Sequence, residues 1–411
     1  MAKVKPFQAL RPEKKYVKQI AALPYDVYNR EEARSEVEKN PLSFLAIDRA
    51  ETSFPKEYDI YGEWVYQKAG QLLGDWIKEG YFIEEESVGF YVYELTWRER
   101  VQNGIVAVCA VEDYLNQVIL KHENTRADKE LDRIHHIEGC GAQTGPIFLT
   151  YRDREEINKK IQEIKRKDPE YDFINEDGVR HRIFSVFESE TVEFLEKSFG
   201  QVEKIYIADG HHRCASAVKV CQKRWEKTKE CDKNASYNYF LSVLFPQSEL
   251  EILDYNRVVR DLNGLTEEEF LEKLKESFEI EEREQAFSPE HKGEFGMFLK
   301  EKWYLLKFKD MEKVQNDLID RLDVSILQNY CLEPILGIKD PRTSPNLDFS
   351  GGIRGLGELE RRVKEDCKAA FSMKATSMEE LFQVAEAGLL MPPKSTWFEP
   401  KLRSGLFIHK I

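Results

Sequence analysis

The sequence predicts a mixed α/β fold, and three observations carry that prediction. Between residues 146 and 260, short apolar runs alternate with charged runs of helical pattern, as in a layer of at least partly parallel strands with helices packed on it. Hydrophobic residues make up 41% and charged residues 33%, the profile of a globular chain rather than a disordered one. At 411 residues the chain is too long for one compact layer, so two lobes are expected.

Each element has its own signal. In "GEWVYQKAGQLLGDWIKE" (62–79), Trp64, Ala69, Leu72, Leu73 and Trp76 suggest an amphipathic helix. "VGFYVYELTW" and "VQNGIVAVCAVEDY" read as two strands of a hairpin or as neighbours. A helix follows "KHENT", with Thr125 and Asp128 as a capping box and Gly139 and Gly141 near its stop. Then come strand "PIFLTY", helix "DREEINKKIQEIKRK", strand "VRHRIFSVF", helix "ETVEFLEKSF", strand "EKIYIA", a helix over 211–229, and strands "YNYFLSVLFP" and "LEILDYNRVV". Beyond Gly264 the texture changes to a charged helix (266–278), a hairpin-like pair "GEFGMFLK" and "KWYLLKFK", a Gly- and Pro-rich segment (333–357) and the tail "MPPKSTWFEPKLRSGLF".

Composition excludes several classes of function. A net charge of −14 disfavours non-specific binding of nucleic acid or an anionic membrane, which needs a basic face. No run approaches the ~18 apolar residues of a membrane span, and the N-terminus lacks an apolar signal core. The seven cysteines form no C-x-x-C pair, which argues against a disulfide framework or zinc knuckle. A cytoplasmic protein with no nucleic-acid or membrane partner is expected.

The most informative stretch is "YIADGHHRCASA" (206–217). An apolar strand runs into Asp209-Gly210, and a helix starts with His211, His212 and Arg213. Cys214, Ala217, Val218, Cys221 and Trp225 mark that helix's packed face. A helix start presents unpaired N–H groups and a partial positive charge, which together suit an anion. Arginine adds donors shaped for phosphate or carboxylate oxygens. A cation there is otherwise unfavourable by roughly 0.3–1 kcal/mol, a sign that a bound anion reverses. Asp209, Gly210, His211, His212 and Arg213 are therefore the candidate phosphate site. A polar turn in which Asp209 only caps the helix is the plainer alternative.

"ADGHHRCASA" resembles the signature of the ParB/sulfiredoxin-like superfamily, and its D-G-H-H-R is similar to that of the free-serine kinase group. Over its full length the chain resembles a prokaryotic family catalogued as domain of unknown function 1015, through "ALPYDV" (22–27), "KHENT" (121–125), "ADGHHR" (208–213), "YNRVV" (255–259) and "MPPKSTWFEPK" (391–401). The resemblance implies a ParB/sulfiredoxin-like phosphate-binding core with an N-terminal extension over 1–262, and a C-terminal α/β lobe over 263–411 closing over the site. It implies a kinase that passes phosphate from ADP or ATP to a hydroxyl, such as that of free L-serine; Mg²⁺ is the co-ion that phosphoryl-transfer chemistry calls for. Glu123 matches the proposed base, and His211 joins it as a catalytic candidate. Lys394, Ser395, Thr396, His122 and Arg257 are the candidate substrate contacts.

Lys394-Ser395-Thr396 is not a P-loop, because the preceding glycine spacing is absent. Lys401 and Arg403 add positive charge to that tail, and a packed strand anchored by Trp397 and Phe398 is its structural alternative. His135 and His136 are adjacent and point to different faces, so they cannot share a metal in the i, i+4 manner. Asp132 is spaced for a surface pair with His136. "GGIRGLG" (351–357) lacks the dinucleotide-binding order and suggests a loop over a pocket. A nucleotide-binding regulator without turnover and a phosphate-ester hydrolase are the competing readings. A DNA-binding partition-like protein is disfavoured by the charge.

Overall fold

Alternating and continuous apolar runs assemble the first sheet. The computed structural model describes residues 1–227, 232 and 234–411, which fall into two compact units. The first unit holds Met1–Lys121, Thr125–Leu250 and Pro400–Ile411; the second holds His122–Asn124 and Glu251–Glu399.

In the first unit nine strands form one sheet: β1 (Val4–Lys5), β2 (Phe90–Trp97), β3 (Arg100–Ala110), β4 (Ile119–Leu120), β5 (Ile147–Tyr151), β6 (Tyr171–Ile174), β7 (Arg180–Val186), β8 (Ile205–Asp209) and β9 (Tyr239–Pro246). Their order is β4-β8-β5-β9-β3-β2-β7-β6, with β1 also on β3. β4/β8 and β5/β9 are parallel, and the other pairings are antiparallel. This is the mixed α/β layer that the alternation predicts. β2 and β3 form the expected hairpin, closed at Trp97 and Arg100. The second expected strand is too long at its end, because Val111–Leu115 is helical.

Besides the helix at Arg30–Lys39, capped by Asn29, five longer helices belong to this unit: α1 (Glu63–Lys78), α2 (Ala127–Cys140), α3 (Glu155–Ile164), α4 (Ser189–Phe199) and α5 (His211–Lys227). Residues 228 and 229 of the expected last helix lie outside the described residues. On α5, Cys214, Ala217, Val218 and Cys221 are buried against the sheet, and Trp225 packs beside them. On α1 the buried face is Val65, Tyr66, Ala69, Leu73 and Trp76. Trp64 is instead exposed, because its spacing of five to Ala69 places it off that stripe. α1 and α2 approach closely where each carries a glycine: a Cβ on Gly70 would fall 2.2 Å from the Gly139 carbonyl oxygen. Gly139 thus serves helix contact, while Gly141, at φ 61°, ends α2. The expected Thr125–Asp128 capping box does not form. Arg126 is the N-cap residue, and the Thr125 hydroxyl donates to Glu130 instead.

The second unit has a six-stranded antiparallel sheet of β10 (Tyr255–Val259), β11 (Phe278–Arg283), β12 (Glu294–Leu299), β13 (Lys302–Phe308), β14 (Leu347–Gly351) and β15 (Ala369–Ser372), in the order β11-β13-β12-β15-β10-β14. Val258, Phe298, Trp303, Leu359 and Ala370 pack on it. α6 (Glu267–Leu274), α7 (Leu356–Glu365) and α8 (Met378–Glu386) are its longer helices. "LEILDYNRVV" is not one strand: Ile252–Leu253 pairs with Trp397–Phe398, and only Tyr255–Val259 enters the sheet. "GGIRGLG", expected as a loop, is mostly regular structure. It runs from the end of β14 through a single 3-10 turn into α7, with Gly351 against the Trp397 ring and Gly352 against Asp254. No described helix is long and apolar enough to cross a membrane.

Candidate functional site

Strand β8 ends at Asp209 and α5 begins at His211, so the motif occupies a strand-to-helix turn. Gly210 sits there at φ 89°, a backbone region that side chains resist. Pairing of β8 with β5 shifts register between Ile207 and Asp209, a bulge that re-aims the strand end. Asp209 Oδ1 accepts from the Gly210 N–H at 2.7 Å, and Oδ2 is paired with Lys401 Nζ at 2.7 Å. Burial pushes this carboxyl up, but Lys401, the Gly210 N–H and His211 together hold it down at about 2. Lys401 thus supplies a positive charge at the turn from 192 positions along the chain.

His211 is buried and His212 partly so. Burial lowers the His212 pKa, against the pull of Asp26 and Glu130. Its Nδ1 is shielded from solvent and has no hydrogen-bond partner among the described residues. Arg213 reaches back from the first turn of α5: its guanidinium donates to the Pro146 carbonyl and the Ser404 hydroxyl, both at 3.3 Å, and lies 5.6 Å from the Tyr25 ring centre. Ser404 is fixed by backbone bonds in both directions with Ala22. "ALPYDV" and the C-terminal tail therefore meet beside the motif, within the first unit.

Behind Arg213 is a cavity of about 30 Å³, bordered by Asp48, Arg133, His136, Gln143, Thr144 and Gly145. Asp48 is 3% exposed and accepts from the Thr144 hydroxyl at 2.9 Å. His136 turns inward to the Ile47 carbonyl, 3.1 Å, with Asp48 3.7 Å away. It is not the expected surface partner of Asp132, because Asp132 is itself buried and bound to Arg133 and the Tyr66 hydroxyl. Burial and Arg133 push His136 down to about 4.

The remaining predicted residues fall in the second unit. Thr396 Oγ1 lies 3.4 Å from His122 Nε2, and the Met391 N–H donates to the His122 carbonyl at 2.8 Å. Arg257 is buried and donates to the main-chain carbonyls of Tyr255 and Lys394. Burial lowers its guanidinium pKa to about 10. The Lys394 ammonium lies 5.5 Å from the Tyr255 ring centre, and its backbone has φ 60°. The Ser395 hydroxyl donates to the Pro392 carbonyl, 2.6 Å, while Thr376 bonds the Ser395 carbonyl at 2.8 Å. The structure thus gathers His122, Arg257, Lys394, Ser395 and Thr396 around one bend, with much of their polarity spent on shaping it. Glu123 adjoins His122 and is half-buried. Arg403, grouped by sequence with Lys401, is engaged elsewhere, by Asp177 and His181.

Asp48, Arg133, Gly145 and Ser404 escaped the sequence analysis. Each is remote from the motif in sequence and carries no local pattern of its own.

Comparison with known proteins adds a family and distant likenesses. The model of a family described as "Protein of unknown function (DUF1015)" matches residues 4–325. No curated protein matches significantly. Among solved structures, a free serine kinase in complex with AMP is similar at 18% identity, over 74% of this chain and 92% of that one, with a TM-score of 0.34. SbnI with a C-terminal truncation, from Staphylococcus aureus, is similar at 11% identity over 73% and 85%, with a TM-score of 0.39. A conserved hypothetical protein from Pyrococcus furiosus is similar at 16% identity over 75% and 95%, with a TM-score of 0.33.

Proposed function

The chain belongs to the DUF1015 family, and from its D-G-H-H-R turn we propose that it is a small-molecule kinase that holds a nucleotide by its phosphates. The observation that carries this reading is the turn itself: a glycine in the left-handed region, a helix start, His211, His212 and Arg213 in its first turn, and Lys401 beside Asp209. Helix-start N–H groups, the imidazoles as donors and the Arg213 and Lys401 charges suit phosphate oxygens.

ADP or ATP is the donor, and free L-serine is the acceptor indicated by the likeness of D-G-H-H-R to the free-serine kinase group. In the transfer, the bond from the terminal phosphorus to its bridging oxygen breaks and a bond to the serine hydroxyl oxygen forms. AMP or ADP leaves, and Glu123 takes the hydroxyl proton. Both Asp209 oxygens are engaged by the Gly210 N–H and the Lys401 ammonium, so Mg²⁺ is assigned to the phosphate oxygens and its own waters, where it would neutralise charge on the phosphates. His122, Arg257, Lys394, Ser395 and Thr396 are assigned to the acceptor.

A thermal-shift panel of ADP, ATP, CTP and AMP with Mg²⁺, on wild type and Arg213→Ala, tests the reading. A nucleotide at 100 times its dissociation constant adds about 2.7 kcal/mol of stability, and that gain should vanish in the variant. Serine turnover with the stabilising donor should then be lost in Glu123→Gln while nucleotide binding persists. Stabilisation by no nucleotide would overturn the proposal. Binding without turnover on any hydroxyl acceptor would favour the regulatory reading.

A further inference from the structure

The first unit buries more charge beside the motif than the motif's own residues explain. Asp48, Asp132 and Arg133 are 3%, 8% and 7% exposed, and the neutral Tyr25 ring among them is 6% exposed. Replacing such a cluster with well-packed apolar residues commonly costs no stability, so its charges call for another role.

Their geometry converges on Arg213. The Tyr25 ring has two guanidiniums against it, Arg133 at 4.0 Å and Arg213 at 5.6 Å from its centre. Arg133 is held by Asp132 at 2.9 Å. Asp48 Oδ1 is taken by Thr144, whereas Oδ2 is buried with no hydrogen-bond partner among the described residues. The cavity it borders, about 30 Å³, is large enough for a bridging water. Burial pushes the Asp48 carboxyl up, and His136, Arg213 and Arg133 pull it below the ordinary carboxylate range. On another side there is no room: a Cβ on Gly145 would stand 2.7 Å from Arg213 Nη1 and 2.9 Å from Cζ.

We propose that Asp48, acting across the cavity, and Tyr25, as a ring shared with Arg133, are positioning residues that fix the Arg213 guanidinium for an anion at the D-G-H-H-R turn, with Gly145 as the close approach that permits this pose. The inference rests on the phosphate-binding reading above. It also gives the tyrosine of "ALPYDV" a physical task. Two arginines sharing one ring repel each other, and the Asp48 carboxylate offsets that repulsion.

The test is a double-mutant cycle on affinity for the nucleotide that stabilises wild type, combined with the side-chain Nε–Hε NMR signal of Arg213, assigned by its loss in Arg213→Ala. Asp48→Asn keeps the shape and removes the charge. Gly145→Ala pushes on the flexible end of Arg213 and, at 3.1 Å, on the Ser404 hydroxyl that Arg213 bonds, both side-chain atoms that can adjust. Each should weaken binding about tenfold in the wild-type background and less than twofold when Arg213 is already alanine, since coupled residues are not additive. In both variants the Arg213 signal should shift or broaden. Equal losses in both backgrounds, or an unmoved Arg213 signal, would overturn the proposal. If wild type binds no nucleotide, the kinase reading fails by itself, and the NMR arm still decides whether Asp48 and Gly145 set the guanidinium. Tyr25→Leu, compared with Tyr25→Phe as the conservative rescue, supplies a second line should Asp48→Asn fold poorly.

Discussion

Asp209 shows how one residue's chemistry depends on a partner remote in sequence. Its carboxyl is held at about 2 by Lys401, the Gly210 N–H and His211, against the opposing push of burial. A carboxyl depressed in the folded state favours folding above its unfolded pKa of about 4, and that contribution is lost as the pH falls through the folded value. Because the Asp209 side chain is 42% exposed, the effect on stability is small. Its titration is the better readout. In Lys401→Met, the Asp209 side-chain carboxyl signal should titrate higher, moving from about 2 toward the ordinary 4; an unchanged midpoint would remove Lys401 as the cause. At this scale the sequence was half legible. Asp209 to Arg213 are consecutive, and their spacing alone describes a turn into a helix. Lys401 was recognisable only as a basic residue in the tail, and Asp48 and Gly145 not at all, because local pattern does not record which distant segments a fold brings together.

Among the elements, those with strong periodic patterns were legible and their ends were not. The β2–β3 hairpin, the packed face of α5 and the β12–β13 pair all follow from alternation or from three- and four-residue spacing. T-x-x-D stands ahead of α2 by chance, whereas among the described residues Asn29, Thr266 and Ser377 make the capping boxes. "LEILDYNRVV" reads as one strand because nothing in its apolar pattern marks the change of partner at Asp254. The turn between β12 and β13 carries a testable cost. Leu299 pairs with Lys302, and the intervening Lys300 and Glu301 both have positive φ, 48° and 64°. Two-residue hairpins of this kind favour Asn-Gly, and non-glycine residues in the left-handed region cost roughly 1–2 kcal/mol each. The double substitution Lys300→Asn and Glu301→Gly should therefore stabilise the second unit by about 1 kcal/mol in denaturant unfolding. The ion pairs of Lys300 with Glu267 and Glu268 are long and exposed, so their loss subtracts little. A destabilised variant would show that these side chains make contacts worth more than the strain.

Over the whole molecule, the buried histidines of the first unit and the buried Asp323 of the second respond oppositely to mild acid. In the first unit, burial lowers four histidines: His136 to about 4, His181 well below its ordinary value, and His212 and His409. His181 illustrates the cause, fully buried between the Tyr93 hydroxyl at 2.7 Å and the Arg403 guanidinium, whose charge also opposes protonation. Each is neutral in the fold and binds a proton first in the unfolded chain, so stability falls as the pH drops below about 6.5. For His136 alone the loss reaches about 3 kcal/mol once the pH has passed 4. The second unit contains the reverse case. Burial raises the Asp323 carboxyl to about 6, although the Gly293 N–H donates to it. A carboxyl raised in the folded state binds its proton first there, so this group adds stability as the pH falls from 6 toward 4. Hydrogen exchange read by mass spectrometry at pH 7, 6 and 5, corrected for the intrinsic pH dependence of exchange, separates the two. Protection should decline in β2, β7 and α2 while β12 and β13 hold or gain. Asp323→Asn keeps the acceptor for Gly293 and removes the ionisation, so it should stabilise the second unit at pH 7 and leave its response to pH flatter. Parallel loss of protection in both units would mean that burial of the histidines does not govern acid sensitivity.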